Sequence, residues 1–169
     1  MMDIFESFEI VTHSDGFNKW QKKNKEAFLC SFFRVIGGEN DDASQVDFYN
    51  EKKDAISSFV VEDGITVLKL DNVEVFKKKD EKVIKLNLSD VKVSEAEALS
   101  KVKEIQKLKY KNENITKFII ILQCKKSPRW NISSITSSLK VINIKIDAGN
   151  ADILEETIAN LLSFAKKDE

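Results

Sequence analysis

Residues 129–149, with the sequence RWNISSITSSLKVINIKIDAG, decide the fold that the chain is expected to adopt. The segment begins with an aromatic-bearing strand, breaks at a pair of serines, and continues as a second strand with strict alternation. In that second strand Ile142, Ile144 and Ile146 share one face, and polar residues take the other. An antiparallel sheet typically packs one face against the hydrophobic core and exposes the other to solvent. The segment therefore predicts antiparallel strands that pack on one side.

A second segment repeats this order of features. Residues 45–64, QVDFYNEKKDAISSFVVEDG, also hold an aromatic-bearing strand, a polar break, a second strand and a closing Asp-Gly. Each segment follows a lysine-rich helical stretch and a β-rich run, FLCSFFRVI at 28–36 and KFIIILQC at 117–124. The sequence thus predicts an α+β protein of two similar helix-plus-antiparallel-sheet (α-β-β-β) units, packed into one compact body.

The repeat sets the predicted domain organisation. Residues 1–70 form the first helix-plus-sheet unit, residues 71–93 a charged connector that lies against the body, and residues 94–169 the second unit. The second unit is expected to end in a C-terminal helix over 152–165, because four residues there recur at helical spacing. They are Ile153, Thr157, Leu161 and Phe164.

The N-terminal region, residues 3–27, has helical periodicity with a break near Gly16. Trp20 lies in the second helical segment, among lysines that cover the rest of its surface. Its simplest role is to anchor this helix on a sheet.

The clearest helix begins at Ser94. Ser94 and Glu97 match a capping box, in which the serine oxygen accepts from the third helical amide and the glutamate reaches back. One apolar stripe then follows at helical spacing and is expected to face the sheet. It consists of Ala98, Val102, Ile105 and Leu108.

The runs at 28–36 and 117–124 are apolar on both faces, which predicts central strands that are covered from both sides. Each run contains one cysteine, Cys30 and Cys124, and buried, reduced thiols are the expected state. If the two units are repeats, these cysteines occupy equivalent strands and are neighbours in one sheet. A disulfide between them is an open alternative in an oxidising compartment.

Composition excludes several kinds of partner. The 169 residues contain 27 Lys+Arg and 28 Asp+Glu, so the formal net charge is −1. This balance gives no excess of positive charge for nucleic acid or an anionic membrane, and neither is predicted as a partner. No apolar run approaches the ~20 residues of a membrane span. The N-terminus, MMDIFESFEIV, lacks a basic region and a long apolar region, so the predicted localisation is cytoplasmic.

No motif for catalysis, a metal or a cofactor is found. The one histidine, His13, lies beside a predicted helix end, and the spacings of common metal sites are absent. No serine lies in a GxSxG elbow, and the five glycines supply no phosphate-binding loop. The sequence therefore predicts no catalytic, cofactor-binding or metal-binding residues, and a protein that is not an enzyme.

Arg129 and Trp130 are the one pair of residues in the sequence with a candidate binding role. They open a strand, and Trp and Arg are enriched in interface hot spots. One interpretation is that both residues contact a partner protein or peptide. The alternative is that Trp130 packs the sheet against the capped helix.

The second half of the chain resembles the PepSY-like domains over about residues 94–154. The matching pieces are SEAEA at 94–98, WNI at 130–132 and IDAGNADIL at 146–154. The resemblance implies an α+β module that binds or restrains peptidases or other proteins, often outside the cell, without catalytic residues. The first half is then a diverged second copy.

Three hypotheses on function follow. The first is a non-enzymatic, PepSY-like module that takes a protein or peptide on a free sheet face or strand edge. The second is a small-ligand-binding or enzymatic protein of the helix-and-curved-sheet cone type, which requires a deep apolar pocket with a perturbed titratable group. The third is a subunit whose free sheet face forms a homodimer.

Overall fold

The computed structural model describes residues 2–39, 41–75, 77–78 and 80–165. Its elements form two runs, each of which begins with helix and continues with four strands. In chain order they are α1 (Ile4–His13), α2 (Asp15–Lys23), β1 (Phe28–Ile36), β2 (Ser44–Asn50), β3 (Ala55–Glu62), β4 (Ile65–Glu74), a 3-10 turn (Leu88–Asp90), α3 (Glu95–Lys109), β5 (Ile115–Cys124), β6 (Pro128–Thr136), β7 (Lys140–Asp147), β8 (Ile153–Asn160) and α4 (Leu161–Ala165).

Within the described residues, the strands form one eight-stranded antiparallel sheet in the order β4-β3-β2-β1-β5-β6-β7-β8. β1 and β5 lie at its centre, as the sequence predicted. Phe33 of β1 lies opposite Ile121 of β5, and Val35 lies opposite Ile119. The mixed α+β class is confirmed, and a single sheet runs through both halves of the chain.

The helices α1, α2 and α3 pack on the same face of this sheet and enclose the main hydrophobic core with it. Trp20 of α2 is 6% exposed. Its indole Nε1 donates to Ser57 Oγ of β3 at 3.2 Å, and its ring packs against Phe48 and Phe59. The prediction that Trp20 anchors its helix on a sheet is confirmed.

Helix α3 begins with the predicted capping box. The Glu97 amide donates to Ser94 Oγ at 3.2 Å, and the Ser94 amide donates to Glu97 Oε2 at 2.7 Å. Ala98 and Val102 of the predicted stripe are fully buried, but Leu108 is 75% exposed, so its assignment to the core is wrong. Leu108 lies six residues beyond Val102, which turns it about 120° around a helix of 3.6 residues per turn.

The predicted C-terminal helix over 152–165 is wrong for most of its length. Residues Ile153–Asn160 form the edge strand β8, and only Leu161–Ala165 are helical. Thr157, expected on a helix face, lies opposite Asn143 of β7. Pairing with β7 fixes this segment as a strand, because tertiary context overrides a weak local helical pattern.

The connector starts four residues later than predicted, since β4 extends to Glu74. The remaining segment is attached to the body, as expected. Lys77 Nζ lies 2.7 Å from Asp54 Oδ1, and the Leu86 amide donates to the Leu29 carbonyl at 2.9 Å. Leu86 is 2% exposed, so the segment adds a side chain to the core.

Candidate partner-binding face

The sheet has one helix-covered face and one face that no helix of the described residues covers, which we name the open face. Side chains alternate between the two faces along each strand. On β6, for example, Trp130 and Ile132 are fully buried, whereas Asn131 and Ser133 are half-exposed. The open face is therefore the surface that the fold leaves accessible to another molecule.

The open face carries many apolar side chains, although an antiparallel sheet with one covered face usually places polar residues on the other. We name this set the apolar patch. It consists of Phe33, Val35, Val60, Val67, Ile119, Ile121, Ile135 and Val141, which are half-exposed or exposed. Contiguous exposed apolar patches mark interaction sites in soluble proteins.

The sequence predicted that β1 and β5 are covered on both faces. The described residues cover the helix side, whereas on the open face the connector lies only over the end near Tyr49, Ser31 and Gln123. On the helix side Phe32, Ile120 and Leu122 are each 0% exposed. On the other side Phe33 and Ile121 remain half-exposed. The prediction of two covered faces is wrong for the single chain, because all three long helices pack on the same side.

Part of the open face is a groove with a volume of about 870 Å³. Phe33, Val35 and Val60 contribute apolar lining. The charged lining has both signs, Lys69 and Lys117 with Glu39, Glu62 and Asp63. The groove therefore has an apolar floor with charged groups of both signs around it.

A polar row crosses the open face beside the apolar patch. Strand register places its members next to one another on six neighbouring strands, in the order Ser58, Asp47, Ser31, Gln123, Arg129 and Asp147. Asp47 is 7% exposed and accepts hydrogen bonds from Ser31 Oγ at 2.7 Å and Ser58 Oγ at 2.5 Å. Gln45 Nε2 donates to the same carboxylate at 2.9 Å. These donors satisfy Asp47 and tie β1, β2 and β3 together.

The two residues of the sequence-predicted binding constellation point to opposite faces. Trp130 is 0% exposed, and its indole Nε1 donates to the Val93 carbonyl at 2.9 Å on the helix side. It has no surface with which to contact a partner, which favours the alternative that it packs the sheet. Arg129 is half-exposed on the open face, and its Nε has no hydrogen-bond partner among the described residues. Partner binding by Arg129 stays a prediction.

The two cysteines lie on the neighbouring central strands β1 and β5, and both are free thiols. Cys30 is 5% exposed at a bulge of β1, and burial, with a smaller effect from Asp47, raises the pKa of its thiol to about 12. Burial also raises the pKa of the half-exposed Cys124 thiol. Neither group is activated as a nucleophile, since reactive cysteines have a lowered pKa.

This difference in burial predicts the order in which the thiols react. At about pH 8 the native protein should react with a disulfide reagent at Cys124 first, and Cys30 should react only on unfolding, because the thiolate is the reactive form. Peptide mapping of the labelled protein measures the order. The Cys124→Ser variant is the matched control and should show no fast phase, whereas fast labelling of Cys30 in that variant would contradict the prediction.

The least exposed ion pair of the described residues lies on the helix side, and no sequence pattern pointed to it. Arg34 of β1 is 1% exposed, and its Nη1 lies 3.3 Å from Glu95 Oε1 at the start of α3. The guanidinium also donates to the Met2 carbonyl and lies over the Phe32 ring. Burial raises the pKa of Glu95, and the nearby Arg34 charge opposes that rise. This pair joins the central strand to α3 and belongs to the core.

The part of the chain that the structure describes lacks two further features. No group of three or more His, Cys, Asp or Glu side chains is arranged to hold a metal ion. His13 lies at the end of α1, with Nδ1 2.8 Å from the Glu9 carbonyl oxygen. No helix there combines the length and the apolar character needed to cross a bilayer.

Comparison with known proteins gives a fold and no family. No family model matches the chain, and no curated protein does. Among solved structures, the chain is similar to a protein of Clostridium difficile 630 whose crystal structure is described as that of a "putative lipoprotein". The TM-score is 0.54, with 16% identity over 86% of this chain and 91% of that one. A likeness at this identity shows a shared fold.

Proposed function

We propose that this chain is a non-enzymatic protein- or peptide-binding module that holds its partner on the open face of the sheet. One observation carries the proposal. β1 and β5 have apolar side chains on both faces, as centrally buried strands do, but those on the open face stay half-exposed within the described residues. A partner would supply the missing cover over Phe33, Val35, Ile119 and Ile121.

The dimensions of the sheet support this use. Eight strands spaced about 4.8 Å apart give a width of roughly 38 Å. Such a surface is large enough for a standard interface, which buries about 800 Å² on each partner. Polar residues such as Asn131 and Asn143 border the apolar patch. An apolar centre with a polar rim is the usual anatomy of an interface.

The second hypothesis, a small-ligand-binding or enzymatic cone protein, has the groove of about 870 Å³ as its support. The described residues that line this groove include no histidine or cysteine, and its carboxylates, Glu39, Glu62 and Asp63, are exposed rather than enclosed in a deep apolar pocket. The groove opens along the sheet beside the apolar patch. We therefore assign it to the same partner-binding face.

We also infer that the two halves are copies of one PepSY-like unit. The support is the strand order, in which β1 to β4 run outward on one side of the sheet centre and β5 to β8 on the other. Each half begins with helix that packs on the same face. A cytoplasmic location also remains a proposal, which fractionation of the source cells would test.

A double substitution in the apolar patch tests the binding role. Phe33→Ser with Ile121→Ser should reduce capture of a reproducible partner by about tenfold or more, because central apolar contacts dominate interface energies. The measurement is quantitative affinity capture from source-cell lysate, followed by binding of the purified candidate. Circular dichroism confirms that the variant is folded.

Leu108→Ser is the matched control, since Leu108 is 75% exposed on the helix side. It should leave capture unchanged. Equal capture by the wild type and the double variant would contradict the proposal. Light scattering on the same proteins tests the homodimer hypothesis, because a dimer formed through the open face should dissociate in the double variant only.

A further inference from the structure

We propose that the molecule on the open face is a second copy of this chain, packed sheet to sheet about a two-fold axis. The axis would run across the strands, midway between the level of Phe33 and the level of Val35. Each copy would then cover the apolar centre of the other, and the dimer would have four layers in the order helix, sheet, sheet, helix. This inference rests on the proposed function and names the partner.

The surface area of the chain is that of a subunit. Its accessible surface is 10348 Å², whereas a monomer of its mass, 19.3 kDa, is expected to expose about 8,500 Å². The excess of about 1,900 Å² lies within the roughly 1,000–2,500 Å² that each chain buries in an obligate homodimer. A single chain therefore exposes as much additional surface as a dimer of this class would remove.

The open face is large enough to hold such an interface. Eight strands give a width of roughly 38 Å, and a strand of eight residues is about 27 Å long, so the face extends over about 1,000 Å². The connector occupies the end of this face near Tyr49 and Ser31. The second copy would lie on the remaining part, around Phe33 and Ile121.

The position of the connector sets the direction of the axis. A two-fold axis along the strands would bring the connectors of both copies to the same end, where they would compete for the same space between the sheets. An axis across the strands places the connectors at opposite ends of the dimer. The strands of the two sheets then lie within about 30° of one another, as in an aligned β-sandwich.

Near the centre of this arrangement, each strand faces the same strand of the other copy. On β1, Phe33 and Val35 lie on either side of the axis, and on β5 the neighbouring Ile121 and Ile119 do so. Phe33 would therefore lie over the partner's Val35, and Ile121 would lie over the partner's Ile119. The half-exposed apolar centre of each copy would be covered by the same residues of the other.

The polar strands beside the centre also match themselves. On β6, Asn131 and Ser133 lie on either side of the axis, and on β7 the neighbouring Lys145 and Asn143 do so. Apolar strands would meet apolar strands, and polar strands would meet polar strands. A two-fold interface requires this self-complementarity, because residue i contacts j while j contacts i.

The charges of the face favour a copy over a partner of one sign. The groove is lined by charged residues of both signs, Lys69, Lys117, Glu39, Glu62 and Asp63. A strongly acidic or strongly basic partner would meet like charges there. A copy brings the same mixture, and the formal net charge of −1 on each chain gives little repulsion between two copies.

Sedimentation velocity of the full chain, at concentrations up to about 100 μM, tests the inference, because the population of a dimer depends on concentration. The wild type should sediment with twice the mass of the 19.3 kDa chain. Ile119→Arg should raise the dissociation constant of the dimer about 100-fold or more, because it buries two unpaired guanidinium groups. In the monomer this arginine can reach solvent, since Ile119 is half-exposed.

Two further variants accompany Ile119→Arg. Phe33→Ser with Ile121→Ser should also be monomeric, because it removes apolar contacts without adding charge. Leu108→Arg is the matched control, since Leu108 is 75% exposed on α3, and it should remain a dimer. Circular dichroism confirms that each variant is folded, and if one open-face variant is not, the other decides.

A wild type that stays monomeric at the highest concentration would overturn the second copy, and the capture experiment then decides the proposed function separately. A dimer that persists in folded Ile119→Arg would use another surface, such as the edge of β4, where Ile65 is 66% exposed. That result would also overturn the inference. Dissociation of both open-face variants, with Leu108→Arg unchanged, is the result that supports it.

Discussion

Replacing Trp130 by alanine is expected to lower the free energy of unfolding by about 3–5 kcal/mol, the range for removal of a large buried aromatic side chain. Trp130 is 0% exposed, and it packs in the core that the sheet forms with the helices. The substitution also removes the indole donor of the Val93 carbonyl, 2.9 Å away. Losing the partner of a buried acceptor adds to the cost of the cavity. Urea denaturation followed by circular dichroism measures the change.

Two further variants separate the causes. Trp130→Phe keeps most of the apolar contact and leaves the Val93 carbonyl without its donor, so a smaller loss of about 1–3 kcal/mol is expected. Leu108→Ala removes a side chain that is 75% exposed and should change stability by no more than about 0.5 kcal/mol. A Trp130→Ala loss as small as the Leu108→Ala loss would contradict the burial of Trp130.

The same residue shows how far the sequence determines a site. Arg129 and Trp130 are adjacent in a strand, so alternation alone places them on opposite faces of a sheet. The signal that only one of them could meet a partner was therefore present in the sequence. What the sequence lacked was the identity of the covered face, which depends on where the helices pack.

Strongly alternating strands were predictable, and the edge strand β8 was not. Ile142, Ile144 and Ile146 are each 0% exposed, as the alternation of β7 predicted. The sequence of β8 shows no comparable alternation of apolar and polar residues. In the structure its residues Ile153 and Ile158 are each more than 40% exposed. An edge strand pairs on one side only, so its side chains are weakly sorted and long-range pairing with β7 decides its conformation.

A free sheet face was predicted, but the residues that form it were not, for a physical reason. Apolar residues on both faces of β1 and β5 indicate that both faces are shielded from water. They do not indicate which group covers each face. Another helix of the same chain and a partner molecule satisfy this requirement equally well. Packing of α1, α2 and α3 on one side decides the matter, and it leaves the apolar residues around Phe33 and Ile121 half-exposed on the open face.

Replacing Arg34 by methionine is expected to destabilise the protein by about 3–5 kcal/mol at neutral pH, because it leaves a buried carboxylate without its partner. Arg34 is 1% exposed and the Glu95 side chain 9% exposed, with 3.3 Å between Nη1 and Oε1. The same change at Lys52, whose ion pair with Glu26 is exposed to solvent, should destabilise the protein far less. Lys52→Met is therefore the matched control in urea denaturation.

The effect of Arg34→Met should depend on pH in a defined direction. Burial raises the pKa of Glu95 in the folded protein, and removal of Arg34 removes the charge that opposes this rise. A carboxyl group with a raised folded pKa contributes stability that is fully present below its unfolded pKa and is lost as pH rises through the folded value. The variant should thus lose less stability near pH 5 than near pH 7.5, and Glu95→Gln in the same chain should restore part of the loss at the higher pH. An equal loss at both values would show that the uncompensated Glu95 carboxylate is not the cause, and would place the cost in the lost contacts of Arg34 with Phe32 and the Met2 carbonyl.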